Sequence, residues 1–564
     1  MWVCCAKTTD INPSSFFHMF RLPIEYVDHV AVQPSMVADL ELVKAAEGPS
    51  MSDTLYGPTS ERGKVAAERT ASNYTTDVAF LRDTVKWISK DRFKPFDADP
   101  FAETWKRHQE TVEFNTLYQY VEHAKLEFLN KMPIVLLILS IYSILSPVLF
   151  LLSPVLILIF PFVMLNLANR KVDWASYTAT LYDTMKKHAL GGLIVGLKEA
   201  NGNQIVTGLL TAGLFGMQVY GNAQSCWQFY KSISHIHQVL VTTQTYLEHV
   251  TAMMTVVEES APQSYRGFAE DVANNRAVLQ QILEKLRKIK PMSHSYQEVK
   301  QIGGMRQIFY ELRHNAAWCQ AIEFSMSFAG YTETMLHVHQ LFKAKRIAPC
   351  KFGEKKDKMV GAYYPPQPKN KRHSYTVKNY MITGPNASGK TTFIKTVMLN
   401  VLFTQQIGCG FYKRYHVKSP YKNLFCYLNI PDTSGRDSLF QAEARRCKEV
   451  LDDVQRGEKT LCIFDELFSG TNPSEASASA YAFLKYLRTL PNVTFLLTTH
   501  FLDVCHRLDG EIQNAHMTTE KATSGDLEYT YKFKTGISQV KGALKVLKDL
   551  NYPASILDCA QNFL

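Results

Sequence analysis

Residues Tyr375–Thr392 read YTVKNYMITGPNASGKTT. Tyr375–Ile382 is strand-like. Gly384-Pro385-Asn386-Ala387-Ser388-Gly389-Lys390-Thr391 then completes the pattern G-x-x-x-x-G-K-[ST]. Glycines in such a loop let backbone N–H groups wrap a phosphate. The Lys390 ammonium would reach the β- and γ-phosphates, and the Thr391 hydroxyl would ligate Mg²⁺ beside Thr392. A helix follows, with Phe393, Ile394, Val397, Met398, Val401 and Leu402 on one face. Its N-terminus offers free N–H groups and a partial positive charge, which anions favour.

A phosphate loop needs an apolar strand ending in acid. Leu461-Cys462-Ile463-Phe464-Asp465-Glu466 supplies one. Asp465 would hold the Mg²⁺ shell, and Glu466 would orient the attacking water. A third apolar strand, Val493–Leu497, leads to Thr499-His500, where a histidine can sense the γ-phosphate. The sequence therefore nominates Gly384–Thr392 as nucleotide-binding, Lys390, Glu466 and His500 as catalytic, and Thr391 with Asp465 as the Mg²⁺ pair, with ATP and Mg²⁺ as cofactors.

Together these residues resemble the ATPase domain of the MutS family, the mismatch-repair branch of the ABC-type ATPases. The Pro385-Asn386 step within Thr383–Thr392 is the distinctive part of the loop. Asp465–Pro473 is similar to the family's Walker B and following loop. Thr498-Thr499-His500-Phe501 is similar to its histidine segment, and Ser438-Leu439-Phe440-Gln441-Ala442-Glu443 to its S-x-F-x-x-E signature. The stretch Gly536-Ile537-Ser538, Gly542, Tyr552-Pro553 and Ala560 resembles its C-terminal helical piece. No LSGGQ is present. The resemblance implies a homodimer in which Ser438 of one chain reaches nucleotide held by the other, and DNA, mismatched or branched, as partner. F-x-E triplets, the form of the family's mismatch wedge, occur at Phe101–Glu103, Phe268–Glu270 and Phe352–Glu354, but none has the family's flanking glycine.

The rest of the 564 residues reads differently. The run Met132–Asn169 holds 38 residues without a charge. A transmembrane helix needs about 20. With Pro147 and Pro154 near its middle, the run reads as a transmembrane hairpin of 132–146 and 155–169, turning near Ser146–Pro154. Lys131, Arg170 and Lys171 would then flank it on one side, the cytosolic one. A second charge-free stretch, Ala200–Tyr230, carries Gly208, Ala212 and Gly216 at small-xxx-small spacing; 204–221 reads as packed or membrane-apposed. Apolar steps of three and four along Phe268–Ile289 give an amphipathic helix. The four expected regions are a mainly helical 1–130, the hairpin 131–170, a helical lever- or clamp-like 171–345 and the α/β P-loop ATPase domain 346–564.

With 11 cysteines and no C-x-x-C pair, neither a zinc ribbon nor a secreted disulfide scaffold is indicated. Reduced thiols in an intracellular, membrane-associated protein are the expectation, with the ATPase domain cytosolic. The formal charge of +10 concentrates in Lys343–Arg372, where ten basic residues face only Glu354 and Asp357. That stretch reads as a connector able to meet DNA phosphates or anionic headgroups. Two functions stand open: a MutS-like, DNA-binding ATPase, or a membrane-anchored ABC-type ATPase that tethers or remodels without recognising mismatches.

Overall fold

The computed structural model describes residues 20–563 except 168–172, 188–190, 192–193, 195–201, 292–295, 368–370, 429–437, 455, 522–526, 539, 541–546 and 549. The chain forms two compact units. One comprises the described part of Met1–Asp97 with Met253–Asn275 and Glu323–Leu564; the other comprises Ala98–Ala252 and Arg276–Ile322.

The first unit is the α/β part. After a short antiparallel pair, β1 (His29–Ala31) and β2 (Asn73–Thr75), its later strands build two sheets. The smaller sheet takes β3 (Ala348–Phe352), β4 (Lys358–Ala362), β5 (His373–Thr376), β7 (Cys409–Gly410) and β8 (Arg414–Val417), in the order β5-β4-β8-β3-β7. The larger takes β6 (Tyr380–Thr383), β9 (Asn423–Tyr427), β10 (Thr460–Asp465), β11 (Val493–Thr498), β12 (Gln513–Lys521) and β13 (Leu527–Thr535), in the order β13-β12-β6-β11-β10-β9. Its first four joints from β9 to β12 are parallel, and β13 closes the edge antiparallel. The first five residues of β10 are buried without alternation, as befits a parallel strand covered on both faces.

Two sequence readings change here. The strand-like run Tyr375–Ile382 splits into β5 and β6, which belong to different sheets. The basic stretch Lys343–Arg372 is no free connector either. It supplies β3 and β4, whose apolar side chains Phe352 and Met359 are buried while Lys351, Lys355, Lys356 and Lys358 stay exposed. Period-two alternation, hidden by the lysine count, makes it a sheet.

The helix after the phosphate loop, Lys390–Ile407, is not one-faced. Nearly every residue from Phe393 to Ile407 is buried, including Asn400, Thr404, Gln405 and Gln406. Its two buried glutamines are met individually. Gln405 Nε2 donates to Tyr421 O at 2.8 Å, Gln406 Nε2 donates to Ala71 O at 2.8 Å, and Tyr56 donates to Gln406 Oε1 at 3.0 Å. Residues 20–97 thus cover this helix, which is why they join this unit instead of a separate one ending at 130.

The second unit, among its described residues, is helical. Helix Tyr296–His314 packs on helix Pro133–Leu151, so closely that a Cβ on Gly303 would lie 2.1 Å from Pro133 O. Arg306, 1% exposed, joins them. Its guanidinium donates to Leu136 O at 3.3 Å, Ser140 Oγ at 2.9 Å, Tyr118 O at 3.0 Å and Gln119 O at 2.6 Å. The ring of Tyr120 lies 5.1 Å from the same cation.

The expected turn at Ser146–Pro154 is not where the chain reverses. Pro147 lies inside helix Pro133–Leu151, and the single residue Leu152, with φ −80° and ψ −9°, leads into helix Ser153–Leu167. A residue in the right-handed region bends the path without folding it back, and Pro154 sits in a first turn, where proline costs no hydrogen bond. The return follows Leu167: Tyr177, on helix Trp174–Lys187, donates to Leu158 O at 2.8 Å. Arg170 and Lys171 lie outside the described residues. In helix Gly202–Ser260, Phe215 stacks on Phe150 at 4.9 Å, while a Cβ on Gly216 would meet nothing within 4 Å. The small-residue spacing therefore does not mark a tight crossing at Gly216.

Replacing Arg306 by Ala would take a donor from Leu136 O, Ser140 Oγ, Tyr118 O and Gln119 O, of which Leu136 O keeps the Ser140 hydroxyl at 2.6 Å. We expect a loss of about 3 kcal/mol, seen as a lower denaturation midpoint. Lys should not restore it, because one ammonium cannot span acceptors arranged for a guanidinium fork. An unchanged midpoint in Arg306→Ala would contradict this account.

Candidate nucleotide-binding site

The site sits where three parallel strands end. β11 lies between β6 and β10, with Thr498 level with Ile382 on one side and Asp465 on the other. Register alone therefore brings the phosphate loop and the acidic pair together.

Gly384 has φ +146° and Gly389 φ +92°, torsions that side chains resist. A Cβ on Gly384 would also press to 2.9 Å from Ser388 Oγ. Gly389 opens the helix without a side-chain cap, so the first N–H groups stay available to an anion. Asn386 and Ala387 are exposed at the loop's apex, while Pro385 and Ser388 are buried. Ser388 Oγ is buried without a hydrogen-bond partner among the described residues.

The Lys390 side chain is 5% exposed. Its ammonium donates to Gly384 O at 2.9 Å and lies 3.1 Å from His500 Nε2 and 3.9 Å from Glu466 Oε1. Burial lowers its pKa, and the carboxylates of Glu466 and Asp465 partly offset that. His500 Nε2 lies 3.0 Å from Glu466 Oε1. That hydrogen bond, with the positive charge of Lys390 nearby, holds the Glu466 carboxyl below its ordinary value against partial burial. The Thr391 hydroxyl donates to Asp465 Oδ2 at 2.8 Å, and Thr498 donates to Oδ1 of the same carboxylate. Lys390, Thr391, Asp465, Glu466 and His500 thus converge.

A cleft of about 480 Å³ opens here, lined by Asn386, Lys390, Thr391, Glu466, His373 and Tyr531 among others. Phosphate suits it: an orphaned serine hydroxyl, uncapped N–H groups and a buried ammonium all want acceptors. A hydroxyl and a carboxylate in contact are the hard oxygen donors Mg²⁺ takes alongside phosphate. Ser438 does not line this cleft. It is exposed and caps the helix Leu439–Val454, its N–H donating to Gln441 Oε1 at 3.0 Å and its Oγ accepting from Gln441 N–H at 3.3 Å.

Three contributors have no role that the sequence assigns, although Thr498 and Ser538 lie in segments quoted for the resemblance. Thr498 orients Asp465. Tyr531, with φ +53°, lies so near the loop that a Cβ on Gly389 would touch its ring at 3.2 Å. Ser538 N–H donates to Thr383 Oγ1 at 2.8 Å, tying the C-terminal stretch to the phosphate-loop strand. Only pairing β12 and β13 beside β6 brings the last two into place. Of the C-terminal residues quoted for the resemblance, Gly542 falls outside the described residues. The three F-x-E phenylalanines, Phe101, Phe268 and Phe352, are all buried, Phe101 stacked on Tyr246 at 3.9 Å. None is placed to enter a duplex.

Comparison with known proteins agrees with this geometry. Residues 380–564 match the family model of MutS domain V. The chain is similar to MutS protein homolog 4 of Homo sapiens, 33% identical over 186 residues, covering 31% of this chain and 19% of that protein. It is also similar to Endonuclease MutS2 of Alkaliphilus metalliredigens, 27% identical over 353 residues, covering 57% of this chain and 42% of that one. A MutS2 from Clostridium botulinum is 31% identical over 184 residues, 23% of its length. The chain thus spans less than half the length of each of these relatives. The phosphate loop, the acidic pair and the histidine segment all lie inside the matched part, so that residues 380–564 of this chain are a MutS domain V.

Proposed function

We propose that the chain is a MutS-type ATPase that works as a homodimer on mismatched or branched DNA. The observation that carries the reading is the convergence of Lys390, Thr391, Asp465, Glu466 and His500 at the ends of β6, β10 and β11, beside a cleft that Lys390, Thr391 and Glu466 line. ATP binds with its phosphates against Gly384–Thr392. Thr391 and Asp465 would hold Mg²⁺ beside the nucleotide, where it would supply positive charge against the phosphates. Glu466 accepts a hydrogen bond from the attacking water, Lys390 counters charge on the γ-phosphoryl group, and His500 keeps Glu466 ionised and oriented. Ser438 of the neighbouring chain completes the site, so that binding closes the dimer and hydrolysis opens it. Tyr531 offers an aromatic face to the base.

A second reading, in which the same engine tethers or remodels at a membrane without reading mismatches, is favoured by one feature. Helix Pro133–Leu151 is long and apolar enough to cross a bilayer, and only 11% of it is buried. In Ser153–Leu167, Val155, Leu158, Phe160, Phe162 and Met164 are exposed as well. A helix apolar on every side suits lipid better than a one-sided protein interface. On this reading the ATPase domain faces the cytosol, where ATP is.

Three measurements test these readings. Glu466→Gln should keep ATP binding while hydrolysis falls about a hundredfold or more; wild-type turnover would mean the role is misassigned. His500→Ala should move the acid limb of the pH–rate profile upward. Without the imidazole bond the Glu466 carboxyl rises toward its ordinary value and protonates sooner as pH falls, so an unmoved limb would refute that link. Finally, the full chain should bind mismatched or junction DNA with an affinity that ATP changes. If it does not, but floats with anionic lipid vesicles, the membrane reading replaces the DNA one.

A further inference from the structure

We propose that Glu443 is a positioning residue for ATP hydrolysis, whose buried carboxylate fastens the loop after Asp465–Glu466 to the helix that begins at Ser438. The inference rests on the ATPase reading above. On helix Leu439–Val454 the buried positions are Glu443, Cys447, Val450 and Val454. This is the core-facing stripe, and its first member is an acid, 2% exposed. A carboxylate in that place is costly unless its oxygens are satisfied.

They are, from a single loop. Ser469 N–H donates to Oε1 at 3.1 Å, the Ser469 hydroxyl donates to the same oxygen at 2.9 Å, and Gly470 N–H donates to Oε2 at 3.2 Å. Backbone donors to an ionised acceptor make strong, directional bonds. Gly470 completes the fit: a Cβ there would lie 2.7 Å from Leu439 Cγ and 2.9 Å from Phe440 N. The rings of Phe440 and Phe468 meet at 5.7 Å.

The loop so held is under strain. Glu466 has φ +51° and Phe468 φ +60°, left-handed torsions for non-glycine residues. Such torsions persist only where the surroundings impose them. The Glu466 end is held by Glu466 N–H donating to Thr498 O at 3.1 Å, and the far end by Glu443. Cys447, Val450 and Val454 share one buried core with Leu467 and Phe468 of the loop, so apolar packing holds the two elements together and the Glu443 carboxylate adds the directional bonds that fix Ser469 and Gly470. In one chain, Glu443 therefore ties the helix that offers Ser438 to a neighbour's nucleotide to the loop that carries the chain's own Glu466.

The test uses the full-length chain, steady-state ATP hydrolysis and binding of a non-hydrolysable ATP analogue. Glu443→Ala should lower turnover at least tenfold while analogue affinity stays within about twofold. Glu443→Gln, which keeps one accepting oxygen, should recover part of the loss. Ser469→Ala should lower turnover less, and adding it to Glu443→Ala should cost nothing further, because both remove the same contact. Thermal unfolding checks that each variant is folded; if Glu443→Ala is not, Glu443→Gln and Ser469→Ala carry the same expectation. Wild-type turnover in the folded Glu443 variants, a loss confined to nucleotide affinity, or independent effects of Glu443 and Ser469 would each overturn the proposal. A wild-type chain that binds the analogue but never hydrolyses ATP would instead sink the ATPase reading and this inference with it.

Discussion

The helix that carries the phosphate loop must be buried on all sides, and much of the α/β unit follows from covering it. A helix exposed on one face can leave its polar side chains in water; Lys390–Ile407 cannot. Its Asn400, Gln405 and Gln406 each need a partner fixed in space. The two glutamines find theirs in segments far away in the chain, Tyr56 and Ala71 on one side and Tyr421 on the other, while the Asn400 amide donates within its own helix to Thr396 O at 2.9 Å. The N-terminal residues are thereby committed to the α/β unit by specific hydrogen bonds as well as by apolar contact. An unmet amide at any of these positions costs more than the bond itself yields.

The same burial shapes the chemistry. Lys390 loses most of its hydration at the helix N-terminus, which alone would favour the neutral amine. Two carbonyls and two nearby carboxylates keep the cation viable there. Glu466 is the complementary case, half exposed and held ionised by His500. The pair is separated by only 3.9 Å, so neither group can be moved without altering the other's charge balance. Holding Glu466 at that distance requires an uncomfortable backbone torsion, which ties the catalytic geometry to the stiffness of the loop that follows.

The phosphate loop, the acidic strand end and the histidine segment were readable in the sequence because each is a local pattern with a local physical reason. The structure brings them together through strand register. What sequence missed depends on distant pairings. Tyr531, and the contact that Ser538 of the quoted C-terminal stretch makes with Thr383, reach the site only because β12 and β13 lie beside β6. Glu443 was visible in the motif but without a task, although an acid on the stripe Glu443, Cys447, Val450, Val454 signals a buried acceptor. The split of Tyr375–Ile382 into two sheets was hidden because both halves satisfy strand preferences equally. The apolar run Met132–Asn169 misled in its turning point, since prolines read as breaks are tolerated within or at the start of long apolar helices.

Charge gives the last step. The lysine-rich stretch is a folded sheet whose interior acid is already engaged: Asp357 lies 2.9 Å from Lys459 and accepts from Tyr421 at 2.8 Å and from Lys418 N–H at 2.7 Å. Asp357 therefore organises the sheet instead of neutralising its surface. Glu354 is shared with His416 at 3.3 Å. The exposed Lys351, Lys355, Lys356 and Lys358 consequently face solvent, Lys351 on β3, Lys358 on β4 and the other two in the turn between them. A flexible linker would spread the same lysines over many positions and pay entropy to gather them on a polyanion; the sheet has gathered them already.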